Sequence, residues 1–215
     1  MRRKRKITTL GVCILFGLIL WPVAAQAALV TIEIEAVVDS VDDPFGYLEG
    51  KIIVGDIITG FYVYESTTPD SSPLDPVQGN YWHYAAPDGI ALTVGGFTFM
   101  TDPFNVAFHV AVRNNSLSGD DSYWLASDNN LPLSNGTQVD EILWSLRDPT
   151  GTALSSDALL TTAPVLDDWG FNRLSFGGGT RARGFVIEGH VTSAIPEPAT
   201  ILLFGLGGLL IGRRR

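Results

Sequence analysis

The sequence contains almost no cysteine. Its one cysteine, Cys13, lies in an apolar run near the N-terminus, inside a segment that we expect to be removed on export. The rest of the chain then has no thiol. Disulfide bonds, thiolate metal ligands and cysteine nucleophiles are therefore excluded from it.

Basic residues are scarce away from the two ends of the chain. Of the 14 Lys and Arg, five lie in residues 2–6 and three are Arg213, Arg214 and Arg215, which leaves six against all 23 Asp and Glu, a formal charge of −17. Such a charge repels nucleic acid and anionic lipid, so no nucleic-acid partner is expected.

The sequence also lacks the common catalytic motifs. It has no HExxH, GxSxG, phosphate-binding Walker loop or GxGxxG after a strand. The three histidines, His83, His109 and His190, are not spaced to share a metal. We therefore predict no catalytic residue and no enzymatic activity. The alternative is a secreted hydrolase that uses a histidine or an acidic pair.

Helical patterns are missing from the middle of the chain, apart from a turn or two that residues 155–160 could form. Strand patterns are frequent instead: VTIEIEAVV at residues 30–38 alternates apolar and polar side chains. Residues 47–54 are among the further runs that we predict as strands, and turn signals separate these runs. The pattern predicts an all-β fold, an antiparallel β-sandwich or jelly-roll-like single domain over residues 28–194.

The N-terminus has the three parts of a secretory signal peptide. Basic residues 2–6 precede a short apolar run, and a small-x-small site with Ala25 and Ala27 follows. This order predicts a signal peptide over residues 1–27 and Ala28 as the first residue of the exported chain. An uncleaved membrane anchor is the alternative, although the apolar run is short for one.

The C-terminal segment, residues 195–215, also has three parts. Pro196, Glu197 and Pro198 predict a stiff extended peptide that can join neither a helix nor a central strand. Residues 199–212 follow without a charge, as a marginal transmembrane helix. The three terminal arginines are the expected cytoplasmic stop. An ordinary C-terminal anchor is the alternative.

This three-part tail resembles the PEP-CTERM sorting tail of Gram-negative bacteria. The resemblance implies processing by an exosortase-type enzyme that recognises the Pro-Glu-Pro triplet. It implies export through the inner membrane, anchoring there by the C-terminal helix before processing, and then a place at the cell surface or in the extracellular matrix. It also implies an association with exopolysaccharide and biofilm.

The middle of the chain resembles, more loosely, the body of a common group of PEP-CTERM proteins. Residues 50–73, 91–99 and 146–159 carry this second resemblance. It implies a secreted β-rich domain and assigns no catalytic residue. We expect a structural or interaction role in an exopolysaccharide or biofilm matrix.

Two residue patterns support a calcium-dependent carbohydrate-binding module as another alternative. Asp120, Asp121 and Asp128 lie close in sequence and could supply oxygen ligands to Ca²⁺, although solvated turns are the preferred explanation. Trp124 and Trp169 stand among polar or loop residues, so we expect them at the surface, where they could stack on sugars. Large aromatic side chains also fill sandwich cores.

Overall fold

The structure is a computed structural model that describes residues 29–180 and 183–197. The regular structure of these residues consists of strands and one 3₁₀ turn, Leu166–Asp168, which lies between the eighth and ninth strands. The strands are β1 (Leu29–Asp42), β2 (Ile57–Glu65), β3 (Gln78–His83), β4 (Gly89–Val94), β5 (Phe97–Met100), β6 (Phe108–Arg113), β7 (Asp121–Ser127), β8 (Val139–Asp148), β9 (Phe171–Thr180) and β10 (Arg183–Pro196).

All ten strands belong to one antiparallel sheet in the order β3-β6-β7-β8-β9-β10-β1-β2-β4-β5. The all-β antiparallel prediction is confirmed. The two-sheet sandwich is not what forms: the single sheet curls into a half-barrel. Two register shifts between β1 and β10, at Glu35/Ala36 and Val38/Ser40, mark irregularities of the kind that bend a strand pair.

The curl brings the two halves of the sheet into contact through their inner faces. Thr101, just after β5, forms an isolated bridge with Asn130, just after β7. The Tyr62 ring on β2 lies 5.8 Å from the Trp144 ring on β8. These contacts replace the second sheet of a sandwich, because one apolar face can be buried against itself.

The alternation predicted for residues 30–38 is confirmed. Ile32 and Ile34 are buried in the core, whereas Glu33 and Glu35 on the opposite face are exposed. A strand with one face on the core and one in water gives this pattern.

Two local predictions are wrong. Residues 47–50 form a turn, and residues 51–54 do not form a strand either. Asp43 stabilises the turn, since its carboxylate accepts hydrogen bonds from the backbone N–H groups of Tyr47 and Leu48 at 2.8 Å each. The Leu48 side chain is buried in the core. Residues 155–160 form bends with no helical turn, and the 3₁₀ turn occurs at Leu166–Asp168 instead.

Several predicted features fall outside the described residues. These are the signal peptide over 1–27 with Ala25, Ala27 and Ala28, the apolar helix over 199–212, and Pro198 with the three terminal arginines. Within residues 29–180 and 183–197, no helix has the length and apolar character needed to cross a membrane.

Candidate functional site

The Pro-Glu-Pro triplet begins at the end of β10, the last strand in the sequence. Pro196 is the final residue of β10 and lies opposite Ile32 of β1. The backbone N–H of Glu197 donates to the carbonyl oxygen of Thr31, with a nitrogen–oxygen distance of 3.0 Å. The first two residues of the triplet therefore extend the β1–β10 ladder.

Proline is compatible with this position because no described strand lies where an N–H of residue 196 would point. The absence of that N–H therefore costs no hydrogen bond of the sheet. Since Glu197 bonds to β1, the neighbouring Pro196 directs its backbone nitrogen to the other side of β10. On that side β9 pairs with β10 only as far as Leu174 and Gly189, so no described strand lies beside Pro196. The prediction that the triplet joins no central strand is therefore wrong for Pro196, which ends a strand inside the sheet order at a position where only β1 pairs with it.

The described domain begins and ends at one end of a single strand pair. β1 starts at Leu29, and β10, antiparallel to it, ends at Pro196. Residues 29 and 197 therefore lie at the same end of this pair.

A shallow depression of about 310 Å³ lies on the outer face of β10, β1 and β2, next to the triplet. Phe61 and Ile195 lie in its wall and are 43% and 51% exposed. Glu33, Glu35 and Glu197 also line it. The surface beside the triplet is therefore open, partly apolar and acidic, and a second protein can approach it.

The two predicted stacking tryptophans occupy different environments. Trp169 is only 8% exposed and packs in the core after the 3₁₀ turn, so its expected surface position is wrong. Trp124 lies half-buried on the outer face of β7. Its ring meets the His109 ring of β6 edge to face, with the centroids 6.4 Å apart.

Trp124 belongs to an aromatic group on the outside of the sheet, which we call the aromatic face and define as Trp82, Tyr84, His109 and Trp124. The Trp82 and His109 rings stack with centroids 4.2 Å apart and planes 6° from parallel. The Tyr84 ring is 6.1 Å from the Trp82 ring, at 5°. Desolvation by burial lowers the pKa of His109, although Asp128 opposes this effect, so the imidazole is neutral at neutral pH.

The sequence predicts only part of the aromatic face. Trp82 and Tyr84 stand two residues apart, so they lie on the same side of an extended chain. Nothing in the sequence pairs Trp82 with His109, because that contact depends on the β3–β6 register.

The three aspartates proposed as calcium ligands do not come together. Asp121 opens β7 and Asp128 follows its last residue, so seven residues at about 3.3 Å each separate them. Asp121 is fully buried, and its two carboxylate oxygens accept the N–H groups of Asn115 and Leu154. Asp120 pairs with Arg147. The residues 29–180 and 183–197 hold no group of three or more metal-ligating side chains suited to an ion.

One buried histidine, His83, lies beside the partly buried Asp88. His83 Nδ1 lies 3.3 Å from Asp88 Oδ2 and 3.2 Å from Thr68 Oγ1. The imidazole is 1% exposed and its ring packs near the rings of Tyr64 and Phe108. The enclosed imidazole therefore links the loops that hold Thr68 and Asp88 to β3.

Comparison with known proteins gives one match. The family model of the PEP-CTERM protein-sorting motif matches residues 194–215. These residues take in the Pro-Glu-Pro triplet, whose first two members continue β10. No curated protein and no solved structure matches the chain. The chain therefore carries a PEP-CTERM protein-sorting motif in its C-terminal segment.

Proposed function

We propose that this protein is exported through the inner membrane, held there by its C-terminal segment, and processed by an exosortase-type enzyme that recognises Pro196, Glu197 and Pro198. The processed β domain then remains at the cell surface or in the extracellular matrix. Its role there is structural or interactive, as a non-catalytic component of an exopolysaccharide or biofilm matrix.

The observation that carries the proposal is the sorting-motif match at residues 194–215. Its structural setting supports the same function. The triplet lies at the open end of β10, beside the start of β1, so a membrane-held tail leaves the rest of the domain free on one side of the membrane. The acidic surface next to the triplet suits a domain that is not held to anionic lipid.

The test compares cells that have the exosortase-type enzyme with cells that lack it. Mass spectrometry of the purified protein measures its C-terminus, and fractionation locates it. With the enzyme, we expect a C-terminus upstream of Arg215 and protein outside the inner membrane. Without the enzyme, we expect the intact tail and protein in the inner membrane.

Two variants sharpen this comparison. Pro198→Ala alters the triplet, and we expect it to accumulate unprocessed. Glu35→Gln changes a carboxylate of the same outer surface without touching the triplet, and we expect normal processing. An intact C-terminus and inner-membrane location in both cell types would contradict the proposal.

A further inference from the structure

Along two rows of the outer surface, the side chains around Trp82, His109 and Trp124 are uncharged, and the exposed Asp128 lies next to His109. Two neighbouring cross-strand rows run over the outside of β3, β6, β7 and β8. One row contains Trp82, His109, Ala126 and Leu143, and the other contains Asn80, Ala111, Trp124 and Ser145. Neither row has a carboxylate, a lysine or an arginine, although the chain carries 23 acidic residues.

Three parallel rings, those of His109, Trp82 and Tyr84, form an aromatic wall at the edge of the sheet. His109 lies directly across from Trp82 and stacks on one of its faces. The Tyr84 ring, just after β3, stacks parallel to the Trp82 ring with centroids 6.1 Å apart. β3 is the first strand in the sheet order, and Trp82 and Tyr84 are 37% and 70% exposed.

The wall is held in place before any ligand arrives. The His109 ring stacks on the Trp82 ring, and the Trp124 ring contacts the His109 ring edge to face. The side chains beside these rings in the two rows include Ala111 and Ala126, which are too small to cover them. Rings that are already fixed lose little conformational freedom on binding, which favours affinity.

These features select a ligand with flat apolar faces and many hydroxyl groups. The apolar C–H face of a sugar ring stacks on Trp and Tyr, while Ser145, across from Trp124, offers a hydroxyl group. Four strands about 4.8 Å apart make each row about 14 Å long, which suits a chain of sugars. A formal charge of −9 for the whole protein disfavours a polyanion.

We infer that the aromatic face binds a neutral polysaccharide. The inference deepens the proposed matrix role and rests on it for its biological setting. A second copy of the chain is a poor occupant, because a stable protein interface takes about 20–30 residues on each side, far more than these two rows supply. β9 lies between this surface and β10, so the polysaccharide need not cover the sorting motif.

The test measures retention of the full-length chain, purified in a mild non-ionic detergent, on immobilised polysaccharides. Cellulose, curdlan and cross-linked dextran are the neutral probes, and alginate is the anionic one. We expect retention on at least one neutral probe and none on alginate. Trp82→Ala and Tyr84→Ala should each weaken this retention about tenfold, as expected for a central aromatic contact.

Phe61→Ala is the matched control, since Phe61 is an exposed aromatic residue of β2, away from the aromatic face; its retention should equal that of the unchanged protein. Melting curves establish whether each variant is folded. If Trp82→Ala is unfolded, Tyr84→Ala tests the inference in its place.

Several results would overturn the inference. They are no retention on any neutral probe, retention on alginate alone, equal retention by Tyr84→Ala and the unchanged protein, and a dimer in sedimentation that Trp82→Ala dissociates. Retention is measured on the unprocessed chain, so a failure here leaves the C-terminal mass measurement unaffected. A failure of sorting likewise leaves retention unaffected.

Discussion

The backbone N–H of Glu197 donates to the carbonyl oxygen of Thr31 at 3.0 Å, one residue beyond the pairing of Pro196 with Ile32. The sorting triplet is therefore attached to the first strand of the domain, and no free linker precedes it. A peptidase that binds an extended substrate needs the backbone groups that β1 now occupies.

This attachment predicts that the end of β10 must open before processing. Insertion of Gly-Ser-Gly-Ser between Ile195 and Pro196 moves the triplet away from Thr31. The processing rate should rise roughly two- to tenfold, since one backbone hydrogen bond is worth about 0.5–1.5 kcal/mol. Pulse-chase labelling measures this rate as the appearance of processed protein that has lost its C-terminal tail.

The same insertion after Asp75, in the loop before β3, is the control and should leave the rate unchanged. Equal rates for the unchanged protein and the Ile195 insertion would show that the β1 contact does not limit processing.

A second prediction concerns Asp121, which the structure makes a structural residue. Its carboxylate is fully buried and accepts the N–H groups of Asn115 and Leu154 at 2.8 Å each. Asp121→Ala leaves two donors without an acceptor, so the free energy of unfolding should fall by about 2–4 kcal/mol. Urea unfolding followed by tryptophan fluorescence measures the change.

Asp128→Ala is the matched control for Asp121. Asp128 is exposed beyond the other end of β7, and its removal should change the free energy of unfolding by less than about 0.5 kcal/mol. Similar losses for the two variants would contradict the structural role assigned to Asp121.

A third prediction concerns Trp144, which joins the two halves of the curled sheet. It is fully buried, its ring contacts those of Tyr62 and Tyr123, and its Nε1–H donates to Asn172 Oδ1 at 3.0 Å. Trp144→Ala should cost about 3–5 kcal/mol of folding free energy. Calorimetric melting should show a smaller loss of folding free energy for Trp124→Ala, whose side chain is half-buried. A larger loss for Trp124→Ala than for Trp144→Ala would contradict the core role assigned to Trp144.

Local sequence patterns predicted the fold class because side-chain alternation records which face of a strand is buried. The pattern of β1 is the clearest case, with Ile32 and Ile34 inside and Glu33 and Glu35 outside. The pattern does not specify which strands become neighbours. The single curled sheet depends on long-range contacts such as Tyr62 with Trp144, which have no local signature.

The candidate sites show the same division. The Pro-Glu-Pro triplet is contiguous, so its chemistry is visible in the sequence. Trp169 stands between Asp168 and Gly170, and these polar and turn residues indicated exposure, yet the chain after the 3₁₀ turn directs its ring into the core. The Trp82–His109 stack depends on the pairing of β3 with β6, which the sequence does not reveal.

The last prediction concerns the acid stability that Asp148 provides at the end of β8. Its carboxylate accepts the backbone N–H of Thr152, the hydroxyl and backbone N–H of Thr150, and the N–H of Ala153. These hydrogen bonds, that of Thr152 first, hold the pKa of Asp148 well below its usual range. The unfolded chain therefore binds a proton at higher pH than the folded one, so this stabilisation is present above about pH 4 and is lost as the pH falls further.

Asp148→Asn should therefore lower the free energy of unfolding most near neutral pH, with the difference from the unchanged protein narrowing as the pH drops below about 4. Urea unfolding at a series of pH values measures both curves. Thr150→Val removes only the hydroxyl donor, so it should give an intermediate slope. Parallel curves for all three proteins would mean that Asp148 keeps an ordinary pKa and that its hydrogen bonds do not favour the charged carboxylate.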